Sequence, residues 1–159
     1  MTYINQCSSK KIHRNFMGYT SSSTQLMIGL GVSAIGDSWY GFAQNEKVLE
    51  DYYARLEANE LPLYRGHLLN QEDLIIRRHI LNLMCLLETH WDKPDMQFPE
   101  LPDVLNRLQE MQADGLIEIG SNYLKITDLG RTFARNICMS FDLRMLRNQP
   151  ETRIFSMTV

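Results

Sequence analysis

The stretch RNFMGYTSSSTQLMIGLGVSAIGD, residues 14–37, decides the architecture. Its second half, LMIGLGVSAIG (26–36), is apolar almost throughout and is punctuated by Gly29, Gly31 and Gly36. A glycine turn that cradles phosphate needs the spacing GxGxxG or GxxxxGK[ST], set between a strand and a helix N-terminus. The spacing here is Gly29-x-Gly31-x-x-x-x-Gly36, followed by Asp37, and the glycines lie inside the apolar run itself. Near-continuous apolar character is the mark of a strand covered on both faces, because a half-exposed strand alternates. Residues 26–36 are therefore expected to form one buried strand, with glycines that admit a neighbouring backbone or a ligand.

The 159 residues are 44% hydrophobic and 22% charged, an ordinary globular balance and long enough for a real core. A formal net charge of −3 argues against non-specific binding to nucleic acid or to an anionic membrane. Cys7, Cys85 and Cys138 are odd in number and widely spaced, as in a reducing compartment, and no two sit at a metal-clip spacing. The N-terminal MTYINQCSSKK lacks the apolar core of a signal peptide, and the run 26–36 is too short to cross a bilayer. The expectation is a cytoplasmic protein with no nucleic-acid or membrane partner.

Residues 1 to 25 read as a polar loop or extended arm. Val48, Leu49, Tyr52, Tyr53 and Leu56 share one face of a helix over 46–58, broken by Pro62 and Gly66. A longer helix starts at Asn70, with Glu72 and Asp73 in its first turn, and its many apolar residues place it at the centre of the core. WDKPDMQFPELP (91–102) is a proline-marked connection. Leu101, Val104, Leu105, Leu108 and Met111 then form an amphipathic stripe that Gly115 ends. Short strands at 116–119 and 123–126 flank Gly120-Ser121-Asn122, a hairpin signal. Thr127 caps a last helix with the stripe Leu129, Phe133, Ile137 and Phe141 and a basic end at Arg144 and Arg147. NQPETRIFSMTV reads as an irregular or extended tail.

Helix, hairpin and helix over 101–146 follow the order of a winged-helix unit. The helix before the wing carries Glu100, Asp103, Glu110 and Asp114 against Arg107 alone, which phosphate would repel. His79 and His90, eleven apart on the expected helix, stand about 16 Å apart along its axis, too far to share a metal. His13 and His67 are isolated, so no metal site is expected. Cys138 among core residues reads as a small buried hydrophobe.

Several blocks carry a resemblance. They are HRNFMGYT (13–20), IGLGVSAIG (28–36), YGFAQN (40–45), LIIRRHI (74–80), DGL (114–116), TDLGR (127–131) and RNICMSFD (135–142). Together, and in this order, they resemble the late part of the oxygen-independent coproporphyrinogen III oxidases, from about residue 11 to the C-terminus. That family consists of radical S-adenosylmethionine enzymes of haem synthesis, which oxidatively decarboxylate two propionates of coproporphyrinogen III to give protoporphyrinogen IX. The family's [4Fe–4S] cluster sits on a CxxxCxxC loop of a partial α/β barrel, and no such loop exists in this sequence.

The resemblance implies a mainly α fold with small β content. Residues 1–45 would be an N-terminal arm and the last barrel strand. Residues 46–159 would be a helical C-terminal domain with a winged-helix-like β-hairpin. It implies a C-terminal part that covers the active site, with no catalytic residue of its own. S-adenosylmethionine and the [4Fe–4S] cluster belong to the parent enzyme, and neither is expected to be held by this chain alone. By the same resemblance Phe16, Met17 and Ile35 fall at a second S-adenosylmethionine. Met17 stands where the family often has glutamine, and a thioether lacks the amide's donor.

Arginine grips carboxylates through parallel hydrogen bonds, which makes Arg14, Arg77 and Arg78 candidates for substrate propionates. Arg77 and Arg78 also suit plain surface charge near a helix start. The expected partners are the N-terminal radical S-adenosylmethionine barrel and, through the intact enzyme, coproporphyrinogen III. If the chain stands isolated, strand 26–36 would offer an edge for a homodimer. The alternative function is a stand-alone porphyrin- or protein-binding domain without catalysis.

Overall fold

The computed structural model describes residues 12–15, 17–22 and 24–148. The chain divides between Leu81 and Asn82 into two compact units. Cys7, Phe16 and the tail from residue 149 lie outside the described residues.

In the first unit, the stretch expected as a loop or arm contains a hairpin. β1 (His13–Asn15) pairs antiparallel with β2 (Gly18–Thr20) and sets Arg14 opposite Tyr19. A four-stranded antiparallel sheet follows, in the order β3 (Leu26–Met27), β4 (Ile35–Ser38), β5 (Gly41–Asn45) and β6 (Leu63–Leu68).

The single strand expected over 26–36 does not form. β3 ends after Met27, and residues 28–34 loop back before β4 begins. The glycines cause this. A Cβ on Gly29 would come within 2.8 Å of the Ile35 backbone, and Gly31 takes φ +98°, a left-handed conformation open to glycine. The loop's polar backbone finds partners within the unit. Asn45 Nδ2 donates to the carbonyls of Gly29 (3.1 Å) and Gly31 (2.9 Å). The Gly31 N–H donates to the Tyr52 hydroxyl at 3.2 Å, and the Ser33 N–H to the Glu46 carbonyl at 2.7 Å. The run is not buried either: Leu26, Ile28 and Leu30 are 61%, 71% and 86% exposed. Its continuous apolar character marks an uncovered surface.

α1 (Leu49–Glu57) forms within the expected range but buries none of its residues, and Val48, Leu49, Tyr53 and Leu56 are exposed. β6 occupies part of the segment expected only to break that helix. α2 (Gln71–Leu86) opens with a reciprocal cap: Asn70 Oδ1 accepts from the Asp73 N–H and the Asp73 carboxylate accepts from the Asn70 N–H, both at 2.9 Å. Leu74, Ile75, Ile76, Leu83 and Cys85 are buried on it, as its dense apolar content predicts, and His79 is fully buried with them.

In the second unit the expected hairpin is present as β8 (Ile117–Ile119) and β9 (Tyr123–Ile126). A strand that the sequence reading missed, β7 (Glu88–His90), adds to β9 and gives the order β7-β9-β8. His90 thus lies in a strand, and α2 ends at Leu86, so His79 and His90 do not share a helix. The helix expected after residue 100 is divided at Leu108 into α3 (Leu101–Arg107) and α4 (Gln109–Ala113). Its stripe survives, with Leu101, Val104 and Leu108 buried, and Gly115 follows the C-cap with φ +71°.

The last helix starts as a 3-10 helix, Leu129–Phe133, which the Thr127 hydroxyl caps by accepting from the Gly130 N–H at 3.1 Å. α5 (Ala134–Met139) and α6 (Leu143–Arg147) follow. Ile137 and Phe141 are fully buried, but Leu129 and Phe133 are exposed. Three residues per turn swing positions four apart by about 120°, so the α-helical stripe does not hold there. The fold is thus mixed helix and sheet, not mainly α. Among the described residues no helix is long and apolar enough to cross a membrane.

Candidate functional site

Opposed residues of an antiparallel pair share a sheet face. The registers therefore put Met27, Asp37, Phe42 and His67 in one row, and Ile35, Gln44 and Arg65 in the next, on one face of the four-stranded sheet. This face carries the polar chemistry. The opposite face carries Leu26, Gly36, Ser38, Gly41, Ala43 and Leu68.

Two concavities lie on the polar side. The larger, about 520 Å³, is lined by His13, Arg14, Asn15, Asp37, Trp39 and Arg77 among others. Arg77 is built into its wall. Nη2 donates to Asp37 Oδ1 at 2.7 Å, Nη1 to the Ser38 carbonyl at 2.8 Å, and the guanidinium lies 5.1 Å from the Trp39 ring and 4.9 Å from the Phe42 ring. It ties the β4–β5 turn to α2. The Arg14 guanidinium lies 5.2 Å from the centre of the Tyr19 ring, its partner across the hairpin, and Arg14 lines this cleft. Arg78 lies 6.0 Å from the Trp39 ring.

The smaller concavity, about 270 Å³, is lined by Ile35, Phe42, Gln44, Arg65 and His67, with backbone from β5 and β6. Ile35 therefore lines a different hollow from Arg14 and Arg77. Met17 is 86% exposed in the β1–β2 turn and lines neither. Gln44 and Arg65 were missed by sequence reasoning. A strand read through Pro62 and Gly66 only as a helix breaker gives no hint that Arg65 and His67 share a face. The one signal is the alternation in YRGHL (64–68), which pairs with GFAQ (41–44).

Cys85 and Cys138 are buried thiols that form no disulfide. Among the described residues no group of three or more His, Cys, Asp or Glu side chains is placed to hold a metal ion. The described residues do not by themselves offer the ligand set of an iron–sulfur cluster. Ile35, Gln44 and Arg65 do offer an apolar contact and polar donors side by side, the mixture that a charged organic ligand requires.

No family model matches the chain. A solved structure does: the chain superposes with a TM-score of 0.80 and 31% identity over 91% of its length on 34% of the coproporphyrinogen III oxidase of Escherichia coli, a radical SAM enzyme. The fold is that of part of a radical SAM enzyme. Among curated proteins, the oxygen-independent coproporphyrinogen III oxidase of Salmonella typhimurium is 35% identical over 153 residues, covering 93% of this chain and 33% of the relative. That of Synechocystis is 33% identical over 158 residues, covering 94% and 34%. The chain is a relative of the oxygen-independent coproporphyrinogen III oxidases and spans about a third of the length of these proteins.

Proposed function

We propose that the chain is the C-terminal part of an oxygen-independent coproporphyrinogen III oxidase. That enzyme oxidatively decarboxylates coproporphyrinogen III to protoporphyrinogen IX in haem synthesis. The chain covers the active site and does no chemistry alone. The observation that carries this reading is the agreement of sequence and fold with one such oxidase across 91% of the chain. The cluster and the first steps of radical chemistry belong to an N-terminal barrel. Among the described residues no group of three or more His, Cys, Asp or Glu is placed to hold a metal ion, in keeping with that division.

β3 and β4, which stand in place of the strand expected over 26–36, would complete the barrel wall, and the helices α3 to α6 with the β8–β9 hairpin would form a winged-helix-like unit. The polar face of the first unit would look into the site. There Ile35 would contact S-adenosylmethionine, which supplies radical chemistry when bound, and the resemblance would add Phe16 and Met17 to that site. Arg14 would hold a substrate propionate through paired hydrogen bonds. Arg77 fixes the wall that presents them. Closing the site over the substrate excludes water and side reactions.

The test is a chimera in which this chain replaces the matching third of the Escherichia coli enzyme, assayed anaerobically for protoporphyrinogen IX. Turnover above that of the truncated enzyme is the expected result. A folded, cluster-loaded chimera without turnover counts against the reading. The chain alone, reconstituted with iron and sulfide, should stay inactive. Retention of about four irons per chain would contradict the division of labour.

A further inference from the structure

Arg65 stands on the polar face of the sheet, one strand pair away from Ile35. Its Nε donates to Gln44 Oε1 at 3.0 Å, and Gln44 Nε2 in turn donates to the Ser33 carbonyl at 3.3 Å. Gln44 thereby links the loop after β3 to Arg65 and orients the guanidinium through its Nε. The other contact of Arg65 is the Tyr64 ring, 5.9 Å from its Cζ. Among the described residues Nη1 and Nη2 have no hydrogen-bond or ion-pair partner, and both belong to the group that lines the 270 Å³ hollow. His67, two residues on along β6, lines the same hollow, and its Nε2 lies 3.7 Å from Asp73 Oδ2.

Surface arginines usually waste their charge on mobile solvent pairs. This one is held by a side-chain clamp and keeps its outer edge of two parallel N–H groups open. That edge is the shape that takes a carboxylate in two hydrogen bonds. The hollow is too small for a tetrapyrrole, but it admits one carboxylate-bearing arm, with Ile35 and Phe42 offering apolar contact to the methylenes. We propose that Arg65, oriented by Gln44, is a carboxylate anchor of this protein, accepting one acidic arm of the ligand that the polar face covers. The inference rests on the proposed function for the presence of such a ligand, and on the geometry alone for its place.

Two ligands of that function carry carboxylates, coproporphyrin through its propionates and S-adenosylmethionine through its amino-acid end. The experiment titrates the cluster-loaded chimera, in which this chain completes the Escherichia coli enzyme, with coproporphyrin III by quenching of porphyrin emission, and with S-adenosylmethionine by calorimetry. Arg65→Gln is expected to weaken one of the two by about tenfold or more. Arg65→Lys should weaken it less, since it keeps the charge and loses the fork. Gln44→Leu should weaken the same ligand through loss of orientation. Arg107→Gln, on the second unit, removes the same charge and should change neither.

Loss confined to coproporphyrin assigns the arm to a propionate, and loss confined to S-adenosylmethionine assigns it to the amino-acid carboxylate. Binding that survives Arg65→Gln undiminished, with an unchanged circular dichroism spectrum, overturns the anchor and leaves the functional reading intact. A folded, cluster-loaded wild-type chimera that binds neither ligand overturns the functional reading and the anchor with it.

Discussion

Arg77 and Asp37 form an ion pair with 17% and 10% of their side chains exposed, so water screens neither well. Removing one partner leaves the other charge half-desolvated, which costs more than the pair itself is worth. Arg77→Met should lower the stability of the chain by about 2–3 kcal/mol, read from the urea midpoint. The double variant with Asp37→Asn should recover part of that loss, and a double variant as unstable as the sum of the singles would show that the pair is not coupled. A second residue gives a pH signature. The hydrogen bond from Tyr123 to Glu118, then the carboxylate's charge, raise the tyrosine above its ordinary 10.0. A raised pKa means that the folded chain holds the phenolic proton more tightly. The contribution is therefore full below pH 10 and lost as the pH climbs through the raised value. The stability difference between the wild type and Tyr123→Phe, measured from pH 8 upward, should shrink at the alkaline end.

Loop 28–34 and the turn at Gly130 are elements whose shape hangs on single glycines. Gly31→Ala must hold a left-handed φ and should cost about 1–2 kcal/mol. Gly130→Ala should cost more, because its Cβ would collide with the Leu116 carbonyl oxygen, a backbone atom held in the second unit's core. Thermal melts that rank Gly130→Ala as the milder change would contradict this. These elements also show where the sequence is readable. The stripes Leu101–Val104–Leu108 and Ile137–Phe141 end buried because a helix against a core repeats at 3.6, and Gly120-Ser121-Asn122 announces its hairpin. Loop 28–34 was misread because continuous apolar character does not distinguish a doubly covered strand from a surface bare on one side. β7 is three residues long, and β6 is exposed throughout, so neither gave an alternation strong enough to read. The same blindness hid Arg65, whose shared face with Gln44 exists only through the pairing of β5 with β6.

At the scale of the molecule the two units bury their apolar residues unequally. The second has a core of Leu83, Val104, Leu108, Leu124, Ile137 and Phe141, each fully buried. The first leaves one face of its sheet bare. Gly36, Gly41 and Ala43 floor a shallow hollow of about 290 Å³ there, and Leu26, Ile28, Leu63 and Leu68 around it are 61%, 71%, 40% and 84% exposed. A contiguous apolar patch of this kind draws a partner surface, and a bare strand edge invites pairing. β3, the edge in the run expected to dimerise, is two residues long. β6 is the opposite edge, six residues long and exposed throughout. Self-association of the isolated chain should therefore run through this apolar-rimmed face and β6. Leu26→Glu with Leu68→Glu places a charge on each side of the patch without touching the buried residues. Sedimentation at high concentration should show the wild-type chain above monomer mass and the double variant at monomer mass. If the wild-type chain sediments as a monomer, the face is not sticky on its own. In the chimera with the Escherichia coli enzyme the same pair of substitutions should cut turnover if this face is the one that meets the barrel, and should leave turnover unchanged if the barrel meets the chain elsewhere.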